Sequence, residues 1–414
     1  MHRERNPYPP RVAETQSASA ALHPGVPYAS TVVAVERADF EVIRRTVAAL
    51  FRLAHEAAYQ VQVDAGADEV ARHRIANTAV FMGYDFHLTP DGPRLIEINT
   101  NAGGALLNGL HTASLCDPVK LACLCSELVP VETMRARIVA TFESELRAAR
   151  PGAALRQVAI ADDHPEGQFL RAEFELFRQL FALSDIEAQV CDVRELAYDG
   201  AALTLGGRRL DLVYLRDTDW RFEQERSRAL RAAYLADAVV VTPSPREHHR
   251  LANKQRLTRF SSADALRGLG ATDEEVALLT VAIPETRFLD AMGVEEAWRT
   301  RRDWVFKPAA AYASRAVYRG DKISRRKLEE IARMGGFVAQ RRVEPGEVGV
   351  ATSDGRRSMK FDVRAYAYRD EVLLLGARAY EGQVTNLRTP GGGFSAICVV
   401  HDDAARGESV ARPA

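Results

Sequence analysis

Two predicted strands around a tight turn carry residue types that bind a divalent cation. The sequence pattern predicts a strand over Ala79–Leu88, a Pro-Asp-Gly turn and a second strand over Arg94–Asn99. Residues two apart on a strand share a face, so Glu97 and Asn99 point the same way, and the hairpin brings Asp85 near them. Carboxylate and amide oxygens are hard ligands that suit Mg²⁺. The sequence therefore predicts a magnesium site formed by these three residues.

The residues around this pair decide between a site and an ordinary sheet surface. Ile96 and Ile98 alternate with the two polar residues and are expected to face the core. Alternation alone is more typical of a solvated sheet face. The strand is followed by Thr100-Asn101-Ala102-Gly103-Gly104, and so small a turn lets backbone N–H groups approach an anion closely. This turn favours the site.

Strand and helix patterns alternate in the middle of the chain. Apolar runs predict strands at Val158–Ala161, Ala188–Val193 and Leu210–Leu215, and an amphipathic pattern predicts a helix over Gly167–Leu183. Such alternation is typical of a parallel α/β lobe. Arg216 follows the last of these strands, and the C-terminal ends of parallel strands commonly face ligands. Arg216 is therefore a candidate ligand-binding residue.

Composition excludes several classes of partner. The 414 residues are 47% hydrophobic and 27% charged, with a net charge of −1, which is typical of a folded protein of two or three lobes. There is no concentrated basic face to bind nucleic acid or an anionic membrane, and no apolar run of about 18 residues to span a bilayer. The five scattered cysteines favour reduced thiols and a cytoplasmic location.

The segment Glu97-Ile98-Asn99-Thr100 and the turn after it resemble the magnesium motif of eukaryotic-type glutathione synthetases. These are ATP-grasp enzymes of circularly permuted order, in which the metal strand comes early and the nucleotide lysines come late. The motifs here have the same order, from about Asp85 to Val400. The resemblance implies an α/β (α+β) fold, namely a permuted ATP-grasp fold with an inserted parallel α/β substrate-binding lobe.

The remaining motifs of this resemblance imply roles for single residues. They lie in Val213–Asp217, Leu251–Lys254, Trp304–Pro308, Gln340–Pro345 and Asn386–Gly393. The implied residues are Lys254 and Lys307 for the ATP phosphates, Tyr318 for the nucleotide, Gln340 and Val343 for the adenine hinge, Arg216 and Arg388 for substrate carboxylates, and Gly391 and Gly392 for the lid loop.

Several positions depart from the family pattern and exclude assignment as a glutathione synthetase. The family's substrate-binding arginine, tyrosine and lysine are replaced by Gly83, Asp219 and Pro390. The acidic metal ligand after Lys307 is replaced by Ala311, so Asp85 is expected to become a necessary metal ligand. An acidic residue at position 219 favours a cationic or amine-bearing substrate.

The resemblance implies an ADP-forming carboxylate–amine ligase that acts on small molecules or peptides through an acyl phosphate. Mg²⁺ and ATP are its expected cofactors, small carboxylate and amine molecules its substrates, and a homodimer its assembly. Two alternatives stay open: a small-molecule kinase, and a nucleotide-binding protein without catalysis. The expected divisions are residues 1–150 with the metal hairpin, 151–245 as the α/β lobe, 246–400 as the nucleotide and lid region, and 401–414 as a tail.

Overall fold

The computed structural model describes residues 23, 25–115, 130–309, 316–353, 355–383 and 385–400. Position 311 and the tail therefore lie outside the described residues. The helices are α1 Arg37–His55, α2 Ala57–Asp64, α3 Glu69–Arg72, α4 Ala105–Leu115, α5 Val131–Ala149, α6 Arg171–Ala182, α7 Arg228–Leu235, α8 Pro245–Glu247, α9 Leu257–Phe260, α10 Ala263–Gly268, α11 Asp273–Ala282, α12 Leu289–Met292, α13 Val294–Thr300 and α14 Arg325–Met334.

The described strands fall into four sheets. They are β1 Tyr28–Glu36, β2 Met82–Thr89, β3 Gly92–Asn99, β4 Gln157–Asp162, β5 Glu187–Asp192, β6 Leu196–Tyr198, β7 Leu203–Leu205, β8 Arg208–Arg209, β9 Leu212–Leu215, β10 Val240–Thr242, β11 Thr286–Phe288, β12 Trp304–Pro308, β13 Tyr318–Arg319, β14 Phe337–Arg341, β15 Gly346–Thr352, β16 Gly355–Tyr368, β17 Glu371–Tyr380 and β18 Gly393–Val400. The predicted hairpin is confirmed as β2 and β3.

The largest sheet joins the two ends of the described chain. Its order is β1-β18-β17-β16-β2-β3, with β15 paired to β16. The neighbours β2 and β16 are antiparallel, with Asp85 opposite Arg364. The hairpin of β16 and β17 continues this row, with Arg364 opposite Gly376 and Asp362 opposite Arg378. Residues distant in sequence thus share one face of one sheet.

The other face of this sheet forms a hydrophobic core. Ile43, Val47 and Leu50 recur at helical spacing in α1 and pack in one cluster with Phe86 and Ile98 of the sheet. Since successive strand residues point to opposite faces, burying Phe86 on this side turns Asp85 to the other. Burial of the apolar face therefore decides which side carries the polar residues.

A four-stranded parallel sheet confirms the predicted α/β lobe. Its order is β10-β9-β4-β5, and every neighbouring pair is parallel. Helices α5 and α6 cover one face, where Phe142, Phe177 and Tyr214 pack edge to face with centroids 5.0 to 6.1 Å apart. A second cluster of buried residues, which includes Leu230 and Tyr234 of α7, packs with the strands on the other face.

A small antiparallel sheet, in the order β11-β14-β12-β13, faces the hairpin of β2 and β3. Trp304, Phe306 and Phe337 pack on one of its faces with Leu328 of α14. None of the described helices is both long and apolar enough to cross a bilayer. Cys398 is disulfide-bonded, so the expectation of reduced thiols is wrong at this position.

Candidate functional site

A β-bulge interrupts the hairpin at the predicted metal residues. Asp85 lies opposite Glu97, but the next residue, Phe86, lies opposite Leu95, so Ile96 is an extra residue without a partner on β2. A bulge of this kind bends the strand and changes the direction of its side chains. The backbone carbonyl of Ile96 instead accepts a hydrogen bond from Lys307 Nζ at 2.9 Å.

The bulge changes which residues face the core. Ile98 is buried in the core cluster, whereas Ile96 is half-buried and lines both cavities beside Glu97, so its expected position in the core is wrong. Glu97 and Asn99 both line the larger cavity, as their spacing predicts.

Two cavities open on the polar face of the hairpin. The larger, of about 430 Å³, reaches from β16 and β17 to the loop before α6, and the smaller, of about 120 Å³, lies between the large and the small sheet. Four residues line both: Ile96, Glu97, Lys254 and Thr385. A ligand group at this junction can therefore reach both compartments.

Buried ion pairs connect the strands under the larger cavity. Arg364 binds Asp85 through two parallel bonds, Nε to Oδ1 at 2.5 Å and Nη2 to Oδ2 at 2.7 Å. Arg378 places Nη2 3.1 Å from Asp85 Oδ2 and Nε 2.7 Å from Asp362 Oδ1. Burial by itself would raise the pKa of Asp85, but the two guanidinium groups outweigh it and hold that pKa well below its usual range.

Lys254 lies at the junction of the cavities, and Lys307 lines the smaller one. Lys254 Nζ lies 2.9 Å from Glu97 Oε1, and Lys307 Nζ donates to Gln340 Oε1 at 2.7 Å. Burial by itself would raise the pKa of the Glu97 carboxyl, but the positive charges of Lys254 and Lys307 outweigh this effect and lower the pKa. Burial lowers the pKa of Lys307 to about 8, with Glu97 opposing that shift. These positive charges suit an anionic ligand.

Arg216 does not line either cavity. Its guanidinium is buried, with Nη1 donating to Tyr214 OH at 2.7 Å and Nη2 lying 3.7 Å from Glu173 Oε2. The carboxylate of Glu173 also accepts hydrogen bonds from the N–H groups of Gly104 and Leu106 at 2.8 and 3.1 Å. The small-residue turn and Arg216, both expected to meet an external anion, thus bind an internal carboxylate.

The residues predicted on the nucleotide side divide between the two faces of the small sheet. Gln340 and Val343 line the smaller cavity. Tyr318 points to the opposite face, against Phe337, whereas its chain neighbours Val317 and Arg319 line the cavity. The expected contact of Tyr318 with a nucleotide stays a prediction, and its ring lies on the face away from the smaller cavity. The Val343 carbonyl accepts from His87 Nδ1 at 2.9 Å.

The glycine-rich loop is a packed turn rather than a cavity wall. Gly391 and Gly392 line neither cavity. A Cβ at Gly392 would lie 2.5 Å from the Ala379 carbonyl oxygen, so close packing requires glycine there. The segment just before it, including Arg388, lines the larger cavity. Arg388 is exposed and thus accessible to a ligand.

Sequence reasoning missed three charged residues of the larger cavity: Asp362, Arg364 and Arg378. Asp362 and Arg364 lie two apart on β16 and so share a face, which is the same spacing that identified Glu97 and Asn99. Asp219, expected to favour a cationic substrate, instead accepts from the backbone N–H groups of Glu223 and Gln224 at 3.1 and 3.0 Å.

Glu97 and Asn99 fit a divalent cation. Asn99 Nδ2 donates to Asp85 Oδ2 at 3.3 Å, which turns the Asn99 amide oxygen away from that carboxylate. Glu97 offers a carboxylate at the cavity junction. In the part of the chain that the structure describes, three acidic or histidine ligand atoms converge only at the surface residues Asp163, His164 and Asp192. A cation at the junction would therefore need ligand oxygens as well, as Mg²⁺ on phosphates does.

Comparison with known proteins gives a fold but no family. No family model and no curated protein sequence matches this chain. A glutathione synthetase-like effector from Globodera pallida in its apo form superimposes with a TM-score of 0.60 at 12% identity, covering 91% of this chain and 90% of that chain. This likeness confirms the expected α/β ATP-grasp fold, and at this identity it shows the fold alone.

Two weaker similarities were also found. A putative gamma-glutamylcysteine synthetase from Methylobacillus flagellatus has a TM-score of 0.47 at 10% identity, with 84% of each chain covered. An ATP-grasp ligase in complex with a minimal precursor has a TM-score of 0.33 at 17% identity, covering 58% of this chain and 76% of that chain.

The contacts of Glu173 generate a stability prediction. Replacing Glu173 with Ala leaves Arg216 buried without its carboxylate, and losing one partner of a buried pair costs roughly 3–5 kcal/mol of unfolding free energy. Urea denaturation followed by circular dichroism measures this loss. Glu175→Ala on the same helix removes an exposed pair with Arg178 and should change stability by less than about 0.5 kcal/mol. Equal stability of the two variants would contradict this role of Glu173.

Proposed function

We propose that this protein is a Mg²⁺-dependent, ATP-consuming ligase that joins a carboxylate to an amine through an acyl phosphate. The observation that carries this proposal is the junction of the two cavities, where Glu97, Lys254 and Ile96 line both compartments. A nucleotide in one compartment and an acid in the other would meet at this junction. The ATP-grasp fold supports the same reading.

The smaller cavity suits the nucleotide. It lies between the large and the small sheet, and Gln340, Val343 and Lys307 line its wall. Gln340 and the Ile96 carbonyl hold Lys307 Nζ at 2.7 and 2.9 Å, so the ammonium group is positioned before a ligand arrives. Lys254 and Lys307 would place positive charge on the phosphate oxygens, where phosphoryl transfer depends mainly on positioning and charge.

Glu97 and the amide oxygen of Asn99 would hold the Mg²⁺ at the junction. The cation would supply positive charge that offsets the negative charge of the phosphate groups. In the structure the Glu97 carboxylate is paired with Lys254 at 2.9 Å. Binding a metal–nucleotide complex would exchange this internal pair for two external ones, with Lys254 moving to a phosphate.

The larger cavity suits the acid and the amine. Arg364, Arg378 and Arg388 supply guanidinium groups on its wall, while Phe169 and Leu170 add apolar contacts from the loop before α6. Guanidinium matches a carboxylate in shape and charge. Phosphorylation activates the carboxylate, after which the amine nitrogen attacks the carbonyl carbon and phosphate leaves.

The ligase should release ADP and phosphate only when an acid and an amine are both present. Hydroxylamine can serve as the amine across a panel of small organic acids, because it converts an acyl phosphate into a coloured hydroxamate. Replacing Lys254 with Met removes one phosphate contact and should lower kcat/KM by about 100-fold or more. Coupled ADP release and hydroxamate absorbance measure both steps.

The exposed Lys322 provides the matched control, since Lys322→Met should leave kcat/KM unchanged. Release of AMP and pyrophosphate in place of ADP and phosphate would contradict the proposal. A phosphorylated product that resists hydroxylamine would instead identify a kinase, and tight nucleotide binding without turnover would identify a binding protein.

The lowered pKa of Lys307 predicts a pH dependence of nucleotide binding. Below about pH 8 the side chain is an ammonium ion, and above it the free protein loses this charge. Phosphate raises the pKa in the complex, so affinity should be greatest below pH 8 and should fall by up to about tenfold per unit above it. Calorimetry with a non-hydrolysable ATP analogue and Mg²⁺ between pH 7 and pH 9.5 measures this. Lys307→Arg stays charged and should lack the decline; an identical decline would assign the titration to another group.

A further inference from the structure

The acceptor positions of Asp85 are already filled by protein groups. A carboxylate offers about four lone-pair positions. Asp85 accepts from Arg364 Nε and Nη2 at 2.5 and 2.7 Å, from Asn99 Nδ2 at 3.3 Å, and lies 3.1 Å from Arg378 Nη2. The residue is buried at 3% exposure. A metal ion would have to displace one of these donors and sit beside two guanidinium charges.

The two arginines keep unused donors at the cavity. A guanidinium carries five N–H groups. Arg364 directs Nε and Nη2 to Asp85 and Nη1 to the Gly103 carbonyl oxygen at 3.5 Å. Arg378 uses Nε and Nη2 on Asp362 and Asp85. Within the described residues, half of the N–H groups of these two cavity-lining arginines have no protein acceptor and can bind a ligand.

The strand register leaves space for this arrangement. Arg364 lies between Asp85 and Gly376 in one row of the sheet, and its side chain runs beside Gly83. A Cβ at Gly83 would lie 3.3 Å from Arg364 Cδ and 2.5 Å from the Ala102 side chain. Gly83 therefore leaves room for the Arg364 side chain, and Asp85 fixes its direction from the neighbouring strand.

We propose that Asp85 is a positioning residue, not a metal ligand, and that it holds Arg364 and Arg378 as the subsite that binds the carboxylate of the acid substrate. This inference rests on the proposed function. Asp85 and Asp362 balance the two guanidinium charges while the site is free, which lowers the penalty of burying them. An incoming carboxylate then meets a fork of fixed N–H donors, with Arg388 and Lys254 on the same cavity wall.

The metal part is tested by counting bound Mn²⁺ with electron paramagnetic resonance, in the presence of a non-hydrolysable ATP analogue. Glu97→Gln should weaken Mn²⁺ binding by about tenfold or more, since it removes the charge of a ligand. Asp85→Asn keeps an oxygen to accept from Asn99 and should change Mn²⁺ affinity by less than about twofold. Equal weakening in both variants would make Asp85 a metal ligand and overturn the proposal.

The carboxylate part is tested with succinate, which needs no turnover. Succinate should shift the ¹H–¹⁵N resonances of the Nε–H groups of Arg364 and Arg378, assigned by their loss in Arg364→Lys and Arg378→Lys. Succinamide, an uncharged analogue of the same shape, should shift neither. Asp85→Asn should lower succinate affinity by about tenfold or more, because the fork loses its charged anchor. If succinate shifts neither Nε–H resonance in the unmodified protein, the proposed carboxylate subsite is rejected.

Two further comparisons keep the test decisive. If Asp85→Asn fails to fold, Arg364→Lys serves instead, because it keeps the positive charge but loses the two-pronged geometry. This variant should bind succinate more weakly and Mn²⁺ with unchanged affinity. Tighter Mn²⁺ binding would show that Asp85 had been freed to ligate the metal and would overturn the proposal. In the ligase assay Asp85→Asn should raise the KM of the acid and leave that of Mg·ATP unchanged. Absence of turnover with every acid would reject the proposed function alone, since the Mn²⁺ and succinate results are measured without it.

Discussion

The ion pairs of Asp85 with Arg364 and Arg378 join the hairpin of β2 and β3 to the hairpin of β16 and β17. Asp85 and Arg364 are 279 residues apart and lie opposite each other on neighbouring strands. Replacing a buried ion pair with apolar residues of similar volume is often neutral or stabilising, so stability alone gives little reason to keep it. The side chains it orients line the larger cavity, and the position of the site residues depends on this contact.

Charge pairing is the common feature of the cavity wall. Glu97 is paired with Lys254, Asp85 with two arginines and Asp362 with Arg378. Each charge is costly to bury alone, and a partner at hydrogen-bond distance offsets that cost. A charged ligand can replace one of these partners, and the remaining buried charge then still has a charge of opposite sign beside it. The same principle applies to Arg216, whose buried charge is already paired with the carboxylate of Glu173 rather than with a ligand.

Much of the local structure could be predicted from the sequence. The hairpin, the parallel lobe and the shared cavity face of Glu97 and Asn99 follow from turn residues and from alternation, which act over a few residues. Ile96 was misjudged because one extra residue in a bulge reverses alternation, and the bulge depends on pairing with a strand. The face that Tyr318 takes could not be predicted, because it depends on which side of the small sheet is packed by α14.

Hydrophobic period and side-chain chemistry are local properties, so the types of element and the residues able to bind cations and anions could be predicted from the sequence. Which of these residues act together depends on tertiary contacts. Strand β16 beside β2 gives Asp85 its arginines, helix α6 brings Glu173 to Arg216, and the small sheet brings Lys307 to the bulge carbonyl of Ile96. These partners come from distant segments, and burial of the apolar faces sets the register that brings them together.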